Sequence, residues 1–254
     1  MTPLQMAALS AASFGGGVMN ALAGGGTLLT FPSLILVGMP SIQANATSTV
    51  ALLPGAASSM WGYRREVSEH REWLKTLLIP SIVGGTLGSV LLLKTPEKIF
   101  ASLAPFLVLF ATLLFLFQTV TAGLKKEAVS GEIQGKRWVA VWLWQFAVAV
   151  YGGYFGAGIG ILMLVILGFL GLTDIHAMNG LKNFFGMCIN GIAAGYFIWR
   201  GAVDWPAALV MMAGAIAGGF AGSGFARKIG KEKARAAVVV IGLSITVVLL
   251  IQRH

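Results

Sequence analysis

No Asp, Glu, Lys, Arg or His occurs before Arg64, and this uncharged opening is interrupted at Asn20-Ala-Leu-Ala-Gly24-Gly25-Gly26-Thr27, where an Asn and three consecutive glycines break an apolar run. Such a run is suited to lipid, where every backbone N–H and C=O must be satisfied within the protein. Glycine lets the chain leave the helical conformation. The break therefore opens the helical ladder where water is scarce, and an anion or a second polar element is the natural partner for the exposed N–H groups.

Of the 254 residues, 57% are hydrophobic and only 11% charged, and the mean hydropathy is +0.83. These values place the chain among polytopic membrane proteins. The N-terminus, Met1-Thr2-Pro3-Leu4-Gln5, lacks the basic region of a signal peptide, so the first apolar segment is expected to stay in the mature protein. A net charge of +9 would suit nucleic acid in a soluble domain, but Lys and Arg concentrate in a few short loops, which reads as topology. No nucleic-acid partner is expected. The single cysteine, Cys188, excludes an internal disulfide and a cysteine-based metal site.

At roughly 20 residues per membrane-spanning helix, the charges and prolines divide the chain into two halves. The first, residues 1–121, is expected to hold a broken helical hairpin over 3–38 and transmembrane helices over 44–63, 74–93 and 99–120. A polar linker over 122–137 follows. The second half, 138–254, is expected to hold a hairpin over 138–172 and helices over 178–199, 205–225 and 236–251. The halves repeat each other. Gly84-Gly85 with Gly88-Ser89 and Lys94 return 134 residues later as Gly218-Gly219, Gly222-Ser223 and Lys228, while Gly25, Gly38 and Ala44 return 133 residues later as Gly158, Gly171 and Ala177.

Orientation follows from the basic loops. Arg64, Arg65, Arg71 and Lys75 share one polar loop, Lys125, Lys126, Lys136 and Arg137 a second, and Arg227, Lys228, Lys231, Lys233 and Arg235 a third. All three fall on one side, which should be cytoplasmic. Equivalent loops of the two halves then lie on opposite faces, so the fold expected is an all-α polytopic membrane protein of two inverted repeats, with both termini extracytoplasmic.

Inverted repeats around broken helices are a transporter design, in which half-helix N-termini present positive dipole ends to an anion. The expected site comprises Asn20, Gly24, Gly25, Gly26 and Thr27 at the first break and Gly156, Gly158 and Gly160 at the second. Asn179, Lys182, Asn183, Gly186 and Asn190 recur three or four apart and form one helical stripe, matched in the first half by the shorter stripe of Asn45, Ser48 and Thr49, with Thr47 beside them and Lys182 in the place of Thr49. Lys182 is the single ionised side chain more than a few residues inside an expected span, and its alternative is a lysine that snorkels to the interface. From this set Asn20, Gly24 to Thr27 and the Gly156 to Gly160 backbone would donate hydrogen bonds, Lys182 would neutralise charge, and Asn179, Asn183, Thr47 and Ser48 would orient the ligand. Gly84, Gly88, Gly218 and Gly222 read as close helix packing.

No Asp or Glu lies in an expected span, which favours anions over metal cations and leaves no acidic proton relay. No cofactor and no bound metal are expected. His176 with Cys188 is the one pairing that could suggest an enzyme, and twelve positions across a helix start separate them. Asn45-Ala-Thr47 matches a glycosylation sequon but opens a span and should be unmodified.

The glycine-rich opening, Asn20 through Gly24-Gly25-Gly26-Thr27 followed by Pro32 and Gly38, resembles that of the sulfite exporter TauE/SafE family. So do Ala44-Asn-Ala-Thr47 at the head of the next helix and Arg64 at its end, with Gly156-Ala-Gly158-Ile-Gly160 and Asn179-Gly-Leu-Lys182-Asn183 as a weaker second copy. The second hairpin departs from the first in lacking the Gly-Gly-Gly-Thr run. The resemblance implies export of a small sulfur-containing anion, such as sulfite, sulfoacetate or a related organosulfonate, across a bacterial inner membrane. Alternating access is the mechanism expected, and no enzymatic activity. An anion channel, or a transporter of another small anion or metabolite on the same fold, is the alternative. Expected partners are the anionic substrate and membrane lipid, with a homodimer left open.

Overall fold

Ten helices make up the regular structure among the described residues, and no strand occurs among them. The computed structural model describes residues 1–22, 25–62, 64–121, 136–169, 172, 174–229, 239–240, 242–244 and 246–247. The linker expected over 122–137 and the last span expected over 236–251 therefore lie largely outside the described residues.

The first half runs as α1 (Pro3–Leu22), α2 (Thr27–Leu36), α3 (Ser41–Gly62), α4 (Arg64–Glu69), α5 (Arg71–Lys94) and α6 (Glu97–Thr121). The second runs as α7 (Lys136–Tyr154), α8 (Ile159–Phe169), α9 (Ile175–Trp199) and α10 (Trp205–Ile229). The polar segment from Arg64 to Lys75 is not a loop. Arg64–Glu69 forms α4, and Arg71 and Lys75 lie in the opening turns of α5, because a polar sequence without Pro or Gly remains a competent helix former.

Each hairpin's long arm packs on the other half. α1 lies along α10, and α7 lies along α5. Glycines set both approaches, since backbones close up where no Cβ intervenes. A Cβ on Gly218 would collide with the Phe14 carbonyl, and one on Gly84 would sit 2.7 Å from the carbonyl oxygen of Phe146. α3 and α9 pack on each other between these pairs, with α3 also against α10 and α9 against α5. The short arms α2 and α8 sit beside α3 and α9 respectively, and α6 covers α2, α3 and α8.

Polar ties locate α3. Glu97, in the first turn of α6, accepts the N–H groups of Ser41 and Ile42 at the start of α3, the latter at 3.2 Å. A carboxylate there satisfies orphan donors and meets the positive end of the helix dipole. Asn45 Nδ2 donates to the Tyr154 carbonyl at 3.0 Å, and the Asp204 N–H donates to Thr47 Oγ1 at 3.0 Å. Asp204 in turn caps α10 by accepting from the Ala207 N–H. Buried Phe31, Phe100 and Phe155 pack edge to face or tilted, with Phe31 and Phe155 centroids 5.3 Å apart, and so join α2 and α6 to the second break.

The outer faces are apolar. Ile79, Val83, Leu87 and Leu91 on α5 and Leu103, Phe106, Phe110 and Leu113 on α6 are exposed. These two, Arg71–Lys94 and Glu97–Phe117, are the described helices long and apolar enough to cross a membrane by length and composition. Each carries a row of exposed large apolar side chains, the pattern of a lipid-facing surface.

Candidate functional site

A cavity of about 70 Å³ lies where both breaks meet α3 and α9. That volume holds a few waters or an ion of a few heavy atoms. Its wall is built from four elements: Asn20 and Thr27 at the first break, Phe155, Gly156, Ile159 and Gly160 at the second, Thr49, Leu52, Leu53 and Ala56 on α3, and Lys182, Asn183, Gly186, Met187 and Asn190 on α9.

The two helix faces correspond. Thr49, Leu52, Leu53 and Ala56 are followed 134 residues later by Asn183, Gly186, Met187 and Asn190, and every one of these positions lines the cavity. On that register Lys182 stands in the place of Ser48, not of Thr49. Ser48 is turned away from the cavity, its hydroxyl 2.6 Å from Thr30 Oγ1 in a buried pair that ties α3 to α2. Thr30 also donates to the Gly26 carbonyl at 3.1 Å. Thr47 is likewise buried and engaged by Asp204, so neither hydroxyl lines the cavity.

At the first break α1 ends at Leu22 and α2 starts at Thr27, with Gly26 as a cap residue that offers no side chain. Gly24 lies outside the described residues. Gly25 and Gly26 do not line the cavity. A Cβ on Gly25 would strike the Phe115 ring at 2.5 Å, and one on Gly26 would lie 2.6 Å from the Gly16 carbonyl oxygen, so both are glycine because of packing. Thr27 faces the cavity from the first turn of α2.

At the second break Gly156 and Gly158 have φ of +84° and +80°, a conformation costly to other L-residues. The Gly156 N–H turns back to the Tyr151 carbonyl at 3.3 Å, ending α7. Tyr151 Oη donates to the Ala157 carbonyl at 2.7 Å and holds the tip. Gly156 and Gly160 line the cavity, whereas Gly158 faces Ala111 and Leu114 of α6. α2 and α8 thus both begin at the cavity and present the positive end of a helix dipole there, while the Leu28 and Leu29 N–H groups turn back to the Gly25 and Gly26 carbonyls, each at 3.0 Å, and the Ile161 N–H to the Gly158 carbonyl at 3.0 Å.

Lys182 is half-buried. Its stem runs along the start of α8, where a Cβ on Gly160 would lie 3.2 Å from its Cδ, and its Nζ donates to Asn179 Oδ1 at 3.2 Å. Asn179 holds the ammonium but does not itself line the cavity. Among the described residues the wall contains one cation, the amides of Asn20, Asn183 and Asn190, the hydroxyls of Thr27 and Thr49, and no carboxylate. Such a set is better suited to a small anion than to a divalent cation, which prefers carboxylate oxygens.

The structure therefore brings together Asn20, Thr27, Gly156, Gly160, Lys182 and Asn183 of the residues expected from sequence, and places Gly25, Gly26, Thr47, Ser48, Gly158 and Asn179 behind or beside the wall. The apolar part, Leu52, Leu53 and Ala56, was not anticipated. It continues the i, i+3, i+4, i+7 series from Thr49, the one signal that could have found it.

The profile of the sulfite exporter TauE/SafE family matches residues 9–249. A probable membrane transporter protein of Haemophilus influenzae is 30% identical over 95% of this chain and 92% of its own length. Two others, the probable membrane transporter protein ORF9 of a Sinorhizobium species and the probable membrane transporter protein YfcA of Escherichia coli K12, are each 26% identical, over 96% and 100% of this chain and 92% and 93% of their own lengths. No solved structure matches the chain significantly. Family and relatives agree with the apolar surface and the interlocked broken helices in marking a membrane transporter, and the chain belongs to the TauE/SafE sulfite exporter family.

Proposed function

We propose that the protein exports a small sulfur-containing anion, sulfite, sulfoacetate or a related organosulfonate, by alternating access at this cavity. One observation carries the reading: both helix breaks converge on a cavity whose charged lining, among the described residues, is a single lysine, Lys182, with no carboxylate. Asn20, Thr27, Asn183 and Asn190 would bind the sulfonyl oxygens, the positive dipole ends of α2 and α8 would favour the anion, and Lys182 would balance the charge. The two halves would act as inverted repeats, 1–121 and 138–254, and the cross-packing of α1 on α10 and α7 on α5 supports that division. The basic segments at Arg64–Arg65, Lys125–Arg137 and Arg227–Arg235 would then face the cytoplasm, leaving both termini outside.

The test is ligand-induced stabilisation of detergent-purified protein by sulfite, sulfate, thiosulfate, sulfoacetate, taurine and divalent cations. A ligand that binds the native state alone raises the melting temperature, by the equivalent of about 2.7 kcal/mol at a hundredfold excess over Kd. The expected outcome is a shift with one or more sulfur anions that disappears in Lys182→Ala. Stabilisation by cations alone, or an unchanged response in the mutant, would remove this cavity as the anion site.

A further inference from the structure

From the comparison of equivalent cavity positions, we infer that Gly186 is a specificity-determining residue: its missing side chain is the seat of the oxyanion, and that seat exists in the second repeat only. This rests on the proposed anion transport and adds where on the wall the charged end sits.

A glycine in the middle of a helix is less favourable than alanine by about 1 kcal/mol, so an interior glycine calls for a reason. Close packing supplies it at Gly84, Gly153 and Gly218, where a Cβ would overlap neighbouring backbone. At Gly186 it does not. Nothing lies within 4 Å of the position a Cβ would take, and that open space belongs to the cavity. Side chains of a helix lean towards its N-terminus, so this space lies over the turn that carries Lys182 and Asn183. Asn190 follows one turn later on the same face, with its Oδ1 close to the tip glycine Gly156. A small oxyanion lowered onto Gly186 meets the helix surface directly, with the ammonium on one side and an amide on the other.

The equivalent place in the first repeat is closed. Leu52 stands there, flanked by Leu53 and Ala56 where α9 has Met187 and Asn190, and Ser48, the counterpart of Lys182, is engaged with Thr30. The α3 wall is thus apolar beyond Thr49 and suits the uncharged body of a ligand. A duplicated architecture holds one anion, in one orientation.

The experiment measures affinity and stoichiometry for sulfite, methanesulfonate and sulfoacetate on the full chain in detergent, for wild type, Gly186→Ala, Asn190→Ala and Gly195→Ala. Gly195 is an exposed α9 glycine with equally open space and lies outside the cavity, so it controls for added helix propensity. Wild type should bind one anion per chain. Gly186→Ala should melt no lower than wild type without ligand, yet lose about tenfold or more in affinity for every anion that wild type binds, because the methyl group occupies the common oxyanion seat. Gly195→Ala should bind as wild type does. Binding by Gly186→Ala within about twofold of wild type overturns the seat and leaves the transport reading intact. A Gly186→Ala protein that fails to fold passes the decision to Asn190→Ala, where loss of affinity supports the seat and retention overturns it. Absence of any anion response in wild type overturns the functional reading itself.

Discussion

Asn45 shows how strongly a single buried amide depends on its neighbours. It is almost fully buried, its Nδ2 donates to the Tyr154 carbonyl, and its Oδ1 finds no donor among the described residues. Asn45→Leu would delete the orphaned acceptor while leaving the Tyr154 carbonyl unsatisfied, two effects of opposite sign that should leave a loss of about 1 kcal/mol or less. Asn45→Asp would bring an acceptor or a buried charge against a carbonyl and should destabilise by about 3 kcal/mol or more. Unfolding in mixed micelles should rank wild type above the Leu variant and the Leu variant above the Asp variant. Equal stability of the Asp variant would mean that the Tyr154 contact carries nothing. The stripe of Lys182, Asn183 and Asn190 was legible because a helix repeats every three or four residues whatever surrounds it. The roles of Thr47 and Ser48 were not, because a hydroxyl's partner depends on which helix lies opposite, and here those are the α10 cap and α2.

Helix pairs in this fold are set by which glycines face a neighbouring backbone. Gly218 and Gly219 are adjacent in α10, yet a Cβ on Gly218 would overlap Phe14 of α1, while one on Gly219 would meet nothing within 4 Å. Gly218→Ala should therefore force α1 and α10 apart at a cost of about 1–3 kcal/mol. Gly219→Ala should be neutral or stabilising by up to about 1 kcal/mol, through helix propensity and a less flexible unfolded chain. Paired melting curves decide this, and equal effects at the two positions would show that the α1–α10 contact is loose. The repeated glycine pattern was readable from sequence as close packing. The partner was not: Gly84 and Gly88 of α5, and Gly214 and Gly218 of α10, each meet the first arm of the other half's hairpin.

For the whole molecule, the absence of a carboxylate in the cavity bears on energetics as well as selectivity. A monoanion moving alone out of a compartment negative inside gains about 2.3 kcal/mol per 100 mV, equivalent to a ratio of about fiftyfold at equilibrium. Vesicles reconstituted with the protein and clamped at graded potentials should reach outside-to-inside anion ratios that follow this slope. A ratio independent of potential would exclude uncoupled export and require a compensating ion. Sequence alone determined that the chain is all-helical and membrane-suited, that it breaks near Gly24 to Gly26 and near Gly156 to Gly160, and that its two halves share a pattern. Hydropathy, helical period and glycine's backbone freedom act locally and can be read from neighbours in the chain. Tertiary structure alone decided which glycines pack and which line a cavity, that α3 contributes an apolar wall, and that Gly186 stands open where Leu52 closes the equivalent place. Most of those outcomes depend on contacts between residues far apart in the chain, such as Gly84 with Phe146 and Gly218 with Phe14, and such contacts exist only once the two halves have interlocked.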